Sequence, residues 1–159
     1  MSNDQKNYQF SLKNEAATSM LAATLEGVSN TGDIITLTGD LGAGKTSFSR
    51  SFIAARGGDG EVPSPTFTLV QLYEFSKGDV YHFDLYRIET PEEIFELAIE
   101  DAMNNGISLI EWPDRMGGYL PLERLDIIMS NGADEHAREA ILIGHGNSWT
   151  SRLERAFSK

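Results

Sequence analysis

A glycine-rich octapeptide is the part of this sequence whose residue types and spacing most clearly permit chemistry. It reads Gly-Asp-Leu-Gly-Ala-Gly-Lys-Thr over residues 39–46 and fits the pattern G-x-x-x-x-G-K-[ST]. Glycines let a backbone with positive φ wrap closely around an anion, and the first amides of a following helix point at that anion. Lys45 would place a mobile charge on the β- and γ-phosphates, and Thr46 would offer a hydroxyl to Mg²⁺. The loop therefore predicts a nucleoside triphosphate site, with ATP and Mg²⁺ as the expected cofactors.

A phosphate loop of this kind needs an acidic group to hold the metal, usually at the end of a neighbouring buried strand. Asp84 and Glu111 each follow a short apolar run, where open α/β sheets bind their ligands. Asp84 could instead cap its strand or pair with Arg87, and Glu111 could be an ordinary surface carboxylate. A helical segment separates the Glu111 strand from the preceding hairpin, which favours a parallel, central strand and gives Glu111 the better geometry for the metal. Asp84 lies in a predicted hairpin, so its direction is less certain.

Three further residues have both a functional and a purely structural interpretation. Thr66 follows two prolines, and a hydroxyl in such a stiff loop can sense the γ-phosphate or orient water; the alternative is a turn leading into a strand. Trp112 directly follows Glu111 and would line the site, dock a partner or pack in the interior. His82 alternates with apolar residues in a strand, so we interpret it as structural.

The elements around these residues follow from hydrophobic periodicity and from glycine, proline and cap positions. Strands are predicted over residues 8–12, 33–38, 107–110, 125–130 and 139–143, with a hairpin of two extended runs over 67–75 and 79–86. Helices are predicted after the cap Asn14 to about Gly27, over residues 45–55, from Pro91 after the cap Thr90, and over residues 148–159. The predicted fold is α/β: a P-loop NTPase-like three-layer domain, with a mixed sheet of parallel centre and antiparallel flanking strands. We expect residues 1–159 to form this single domain.

Composition excludes several classes of function. The 159 residues contain no cysteine, which rules out disulfides, thiolate metal sites and a cysteine nucleophile, and the three histidines lack zinc-ligand spacing. The net charge of −11 opposes autonomous binding to a nucleic-acid backbone, which needs a basic face. No apolar run approaches the roughly 20 residues of a membrane span, and the first residues are polar, so a cytoplasmic protein is expected.

Four sequence blocks together resemble the bacterial TsaE family, also called YjeE. They are the phosphate loop, Ser-Pro-Thr-Phe-Thr-Leu-Val over 64–70, Tyr-His-Phe-Asp-Leu-Tyr-Arg over 81–87, and Leu-Ile-Glu-Trp-Pro over 109–113. They occur in the family's order and spacing, and the flanking segments also fit in length and pattern. Together they are far more specific than the phosphate loop alone.

The resemblance implies a function that composition does not show. The family is the ATPase of the machinery that makes N6-threonylcarbamoyladenosine at position 37 of tRNAs reading codons that start with A. It works with the TsaB–TsaD heterodimer, in which TsaD transfers the threonylcarbamoyl group, and its ATPase is weak without those partners. An acidic chain is compatible with that role, because the partners would hold the tRNA.

The resemblance also assigns roles to residues. It makes Lys45 the phosphate-binding lysine, Thr46 and Glu111 the magnesium site, and Thr66, Asp84 and Trp112 members of the switch-like, Asp and Glu-Trp motifs. Catalysis is expected to depend on Lys45, Thr66, Asp84 and Glu111. The expected nucleotide contacts are Asp40, Leu41, Gly42, Ala43, Gly44, Lys45, Thr46, Ser47 and, by a weaker alignment, Arg138. Ser47 departs slightly from the family, where many members have a second threonine.

Two other functions are compatible with the phosphate loop. A small-molecule P-loop kinase has a similar length, although it usually needs an arginine-rich lid, and no arginine cluster is present. A nucleotide-gated binding module would bind ATP and a partner without significant hydrolysis. A GTPase is disfavoured, because the guanine-reading Asn-Lys-x-Asp motif is absent.

Overall fold

The computed structural model describes residues 7–40, 42–57, 69–97 and 99–157. Within these ranges the strands are β1 (Asn7–Leu12), β2 (Ile34–Thr38), β3 (Val70–Tyr73), β4 (Asp79–Asp84), β5 (Gly106–Glu111), β6 (Arg124–Asn131) and β7 (Arg138–His145). The α-helices are α1 (Glu15–Gly27), α2 (Lys45–Arg56), α3 (Ile99–Asn105) and α4 (Asn147–Phe157), and 3₁₀ segments cover Pro91–Leu97 and Pro113–Tyr119. None of the helices in the described part of the chain has the length and apolar character needed to span a bilayer.

The seven strands form one sheet in the order β1-β7-β6-β2-β5-β4-β3. The four inner strands β6, β2, β5 and β4 pair in parallel. Strands β7 and β1 on one side and β3 on the other pair antiparallel. The predicted mixed sheet with a parallel centre and antiparallel flanks is therefore confirmed, and β5 is a central parallel strand as the segment before it indicated.

Helices and 3₁₀ segments cover both faces of this sheet, so the fold has three layers with the sheet in the middle. One face packs against α1, α2 and α4, and residues Phe48, Phe52 and Ile53 of α2 are completely buried there. The other face, with Phe83 and Ile110, packs against α3 and the two 3₁₀ segments. Strands covered on both faces read as continuous apolar runs, which is why β2 and β5 were recognisable in the sequence.

Local sequence signals account for most element ends. Asn14 caps α1, because its Oδ1 accepts a hydrogen bond of 3.0 Å from the Ala17 amide. The helix predicted at Pro91 begins there, but it is a 3₁₀ segment, and regular α-helix resumes only at Ile99. The Glu93 carboxylate accepts from the amides of Glu89 and Thr90 at 2.8 Å each, so Glu93 contributes to the cap that was assigned to Thr90 alone.

Two buried ion pairs attach the helices to one another and to the sheet. Arg56 of α2 donates to Glu26 of α1 at 3.2 Å and to the Lys77 carbonyl in the β3–β4 turn at 3.0 Å. Arg152 of α4 donates to both carboxylate oxygens of Asp33, at 2.6 and 3.0 Å. Each arginine is almost fully buried, so the bidentate and multiple hydrogen bonds are needed to offset its desolvation.

A polar network crosses the sheet at Asp126 of β6. Its carboxylate accepts from the Thr36 hydroxyl at 2.6 Å and from Arg124 Nε at 2.8 Å, and it lies 2.8 Å from His145 Nε2. Burial by itself raises the pKa of Asp126, but the hydrogen bonds from Arg124, Thr36 and His145 outweigh it and hold the pKa below its ordinary value.

This depressed pKa predicts a pH-dependent contribution to stability. Because the folded-state pKa lies below the unfolded value of about 3.9, the contribution is complete above that value and is lost as the pH falls through the folded-state pKa. We expect Asp126→Asn to lower the free energy of unfolding by about 1–3 kcal/mol at pH 7, with the difference from wild type shrinking below about pH 4. Urea unfolding at pH 7, 4 and 3 measures it, with Asp134→Asn at an exposed turn position as control. A difference that stays constant over this range would contradict the assignment.

Candidate functional site

The loop between β2 and α2 depends on glycine at three positions. Gly39, Gly42 and Gly44 have φ of 153°, 83° and 100°. A Cβ on Gly39 would collide with the backbone carbonyl oxygen of Met129 on β6. The turn is closed by the Ala43 amide, which donates to the Asp40 carbonyl at 3.0 Å. The predicted contact residue Leu41 lies outside the described residues.

The loop leads directly into α2, whose first residue is Lys45. Gly44 precedes the helix in the left-handed region and supplies no side-chain cap. The first amides of an α-helix have no acceptor within the helix, and the helix dipole adds positive potential at that end. The amides of Lys45, Thr46 and Ser47 are therefore placed to bind an anion such as a phosphate.

Lys45 is a buried cation whose partners are a backbone carbonyl and an aromatic ring. Its side chain is 5% exposed, and Nζ donates to the Gly39 carbonyl at 2.5 Å and lies 3.8 Å from the ring centroid of Trp112. None of the described carboxylates lies within 4.0 Å of Nζ. Burial lowers the pKa of Lys45, and the charges of carboxylates led by Glu111 and Asp84 oppose that shift. A buried ammonium without an ion-pair partner is suited to an incoming anion.

Glu111 lies at the end of β5, opposite this lysine and helix. It is 3% exposed, so the surface interpretation of this carboxylate is wrong. The Thr46 hydroxyl lies 3.2 Å from each of its carboxylate oxygens, and His82 Nε2 lies 2.7 Å from Oε2. The two residues predicted to hold magnesium are therefore in direct contact.

Asp84 lies beside Glu111 because β4 and β5 are parallel and these two residues are register partners. Its Oδ1 accepts from the Tyr86 amide at 3.2 Å. Burial raises the pKa of Asp84, and the nearby charge of Glu111 adds to the shift, while the Tyr86 amide opposes it. The direction that the sequence left uncertain is thus resolved: Asp84 and Glu111 end neighbouring strands at one edge of the sheet.

These groups share one cavity of about 410 Å³. The predicted residues that line it are Gly42, Gly44, Lys45, Thr46, Ser47, Asp84, Glu111 and Arg138. Of the other predicted contacts, Ala43 is buried within the loop and Asp40 is exposed. Thr66 lies outside the described residues, so its role stays a prediction. Arg138 begins β7 and lies beside the loop, since a Cβ on Gly44 would approach its Nε to 3.2 Å.

His82 had a purely structural predicted role, and Tyr86 and Arg87 had no predicted role at the cavity. Tyr86 and Arg87 line it together with Trp112. His82 is buried as predicted, but it hydrogen-bonds the candidate metal ligand Glu111. The strand period of two could have indicated this, because it places His82 and Asp84 on the same face of β4.

Trp112 occupies a strained position at the mouth of the site. Its φ of 63° and ψ of 52° lie in the left-handed region, which costs a residue other than glycine about 1–3 kcal/mol. Its ring contacts Lys45 on one side and lies 4.9 Å, centroid to centroid, from the ring of Tyr86. The strained turn therefore places the indole where the ammonium of Lys45 stays partnered.

The donor set fits magnesium bound with a nucleotide. No group of three His, Asp or Glu side chains arranged to hold a metal occurs within residues 7–40, 42–57, 69–97 and 99–157. Magnesium does not require one, because it commonly uses one or two carboxylates, waters and substrate phosphates. The hydroxyl of Thr46 and the carboxylate of Glu111 are oxygen ligands of that kind.

The parallel sheet, the glycine loop leading into α2 and the strand-end carboxylates define a P-loop NTPase-like protein. A family model described as "Threonylcarbamoyl adenosine biosynthesis protein TsaE" matches residues 12–140. The chain belongs to the TsaE family.

Curated relatives and a solved structure support this membership. Proteins described as "tRNA threonylcarbamoyladenosine biosynthesis protein TsaE" are 47% identical in Rickettsia felis (65% of this chain, 61% of that protein), 42% in Haemophilus influenzae (72% of each) and 34% in Bacillus subtilis (89% and 88%). The chain thus spans about three fifths of the length of the Rickettsia felis protein. The crystal structure of YdiB from Bacillus subtilis is 30% identical and superposes with a TM-score of 0.80 over 98% of this chain and 97% of that one.

The contact between Lys45 and Trp112 predicts a spectroscopic response to nucleotide. The chain has two tryptophans, so a Trp149→Phe variant reports on Trp112 alone. We expect its emission to change when ATP and Mg²⁺ are added, because the ammonium leaves the ring for the phosphates. Adenosine, which lacks phosphates, serves as control and should leave the emission unchanged. Constant emission at ATP concentrations that saturate binding by calorimetry would show that Lys45 stays on the ring.

Proposed function

We propose that this protein is a magnesium-dependent ATPase that acts in the formation of N6-threonylcarbamoyladenosine in tRNA. The observation that carries the proposal is the contact of Thr46, in the first turn after the phosphate loop, with the buried strand-end carboxylate of Glu111. This contact assembles the nucleotide-binding element and a metal ligand in one cavity. Membership of the TsaE family supports the tRNA-modification part of the proposal.

The chain's own groups would bind and orient ATP. The loop amides and the N-terminus of α2 bind the phosphates, and Lys45 leaves Trp112 and Gly39 to neutralise the β- and γ-phosphates. Thr46 and Glu111 would hold Mg²⁺, which when bound supplies further neutralisation of the phosphate charge. Arg138 and Arg87 line the same cavity and would contact the same ligand. Catalysis of this kind consists mainly of positioning and electrostatic stabilisation.

Asp84 is the better candidate to orient the attacking water. Glu111 already contacts Thr46 and His82, whereas Asp84 accepts a hydrogen bond only from the Tyr86 amide within the described part of the chain. The raised pKa makes Asp84 a stronger base than an ordinary aspartate. Thr66 would also contribute, as the resemblance implies.

The proposed partners are the TsaB and TsaD proteins as a heterodimer, in the cytoplasm. The net charge of −11 supports an indirect relation to tRNA, in which the partners hold the nucleic acid. Trp112 and Tyr86 lie at the mouth of the cavity, so a partner that contacts them would act directly on Lys45.

Removing the lysine charge tests the nucleotide part of the proposal. We expect Lys45→Ala to weaken ATP binding by about 10–100-fold, because a charge-assisted contact to the phosphates is lost, and to reduce hydrolysis accordingly. Lys77→Ala is the matched control, since this lysine is 60% exposed in the β3–β4 turn at the opposite end of β4. Calorimetry and phosphate release measure binding and turnover. Equal affinities for the two variants would exclude Lys45 as a phosphate ligand.

Addition of purified TsaB and TsaD tests the partner part. We expect the two proteins to accelerate ATP hydrolysis by the wild type and to have little effect on hydrolysis by Glu111→Ala. In a strain carrying Lys45→Ala, we expect mass spectrometry of the tRNA to show no modified adenosine. Tight ATP-dependent association without faster hydrolysis would instead identify a nucleotide-gated binding module. Modified tRNA at the wild-type level in the Lys45→Ala strain would contradict the proposed function.

A further inference from the structure

His82 is a fully buried histidine in direct contact with the candidate metal ligand. It is 0% exposed on β4, the second strand from one edge of the sheet, and its Nε2 lies 2.7 Å from Glu111 Oε2. Its other ring nitrogen, Nδ1, is buried and has no hydrogen-bond partner among the described residues. A core histidine that served packing alone would not need a carboxylate partner, and an apolar side chain would fill the position without an unpartnered nitrogen.

The two nitrogens together determine where the proton resides. If Nδ1 carried it, a buried N–H would lack an acceptor, and the lone pair of Nε2 would face the carboxylate at 2.7 Å. If Nε2 carries it, the N–H donates to Glu111, and the unpartnered atom is only an acceptor. The contact is therefore a hydrogen bond donated by Nε2–H to Oε2.

This hydrogen bond holds the flexible Glu111 side chain in place, because its donor is on a rigid strand. His82 is on β4, which pairs in parallel with β5, the strand that ends at Glu111. A glutamate carboxylate can rotate about its terminal bond, but a donor at Oε2 selects one orientation. In that orientation Oε1 also remains 3.2 Å from the Thr46 hydroxyl.

We propose that His82 is a positioning residue that orients the Glu111 carboxylate toward Mg²⁺ bound with a nucleotide. The proposal rests on the proposed function, because it assumes that Thr46 and Glu111 hold the metal. Removal of a hydrogen-bond donor to a metal-ligating carboxylate typically lowers metal affinity by about 10–100-fold.

Two variants separate positioning from packing. In His82→Gln the terminal amide nitrogen can take the place of Nε2 and donate to Glu111, whereas in His82→Asn the shorter amide ends near the place of Nδ1 and cannot reach it. Both are neutral and polar. His145→Asn is the control, because His145 contacts a different carboxylate, Asp126, at 2.8 Å.

The measurement is the affinity for ATP in EDTA and across a Mg²⁺ titration. All variants should bind ATP alike in EDTA, since the loop and Lys45 are intact. We expect the Mg²⁺ concentration for half-maximal enhancement to rise about 10–100-fold in His82→Asn and to return to within a few-fold of wild type in His82→Gln. An unchanged His82→Asn, or equal defects in the two variants, would overturn the proposal.

A spectroscopic readout on the unmodified protein covers the case in which His82→Asn does not fold. In protein labelled with ¹⁵N-histidine, the resonance absent from His82→Gln assigns His82. We expect it to show a proton on Nε2 and to shift with ATP and Mg²⁺ but not with ATP in EDTA. A proton on Nδ1 alone would overturn the proposal. If the wild type shows no Mg²⁺-dependent ATP binding, the proposed function itself fails; normal wild-type binding with an unaffected His82→Asn defeats only the role of His82.

Discussion

Two opposite charges are buried at the carboxyl ends of the parallel strands, and the elements around them are arranged to supply their partners. Lys45 and Glu111 are 5% and 3% exposed, yet they form no ion pair with each other. An ammonium and a carboxylate removed from water require partners, and here each is partnered by uncharged or aromatic groups instead of by the other. A carbonyl and an indole ring contact Lys45, while a hydroxyl and an imidazole contact Glu111.

The sheet order makes this arrangement possible. Strand β2 lies between β5 and β6, so the loop that follows it emerges beside Glu111 on one side and Met129 on the other. The close approach to the Met129 carbonyl leaves no space for a side chain at Gly39. The glycine loop, which is the proposed phosphate site, is thus positioned by contacts with the neighbouring strands, and the first turn of α2 places its amides above their ends.

Lys45 and Glu111 each have partners within the protein, and this has a consequence for control. Under the proposed function, Lys45 would exchange Gly39 and Trp112 for phosphate, and Thr46 would share Glu111 with a metal. Trp112 has a strained backbone, and its ring contacts that of Tyr86, which is 45% exposed. The indole ring beside Lys45 is therefore accessible to another protein. Under the proposed function, activation by a partner would require no distant pathway, because a contact on Trp112 and Tyr86 would alter the environment of Lys45.

Local sequence determined the phosphate loop, the cap of α1, the central strands and the presence of acidic residues at strand ends. Each of these follows from interactions among residues close in the chain: backbone freedom at glycine, a side chain bonded to an amide three residues on, and apolar runs of strand length. Only the tertiary structure decided which groups meet. The contacts of Glu111 with Thr46 and His82 join residues 65 and 29 positions apart. Sequence patterns carry no strand order or register, so His82 read as a core residue, and Asp84 had no defined direction until β4 paired in parallel with β5.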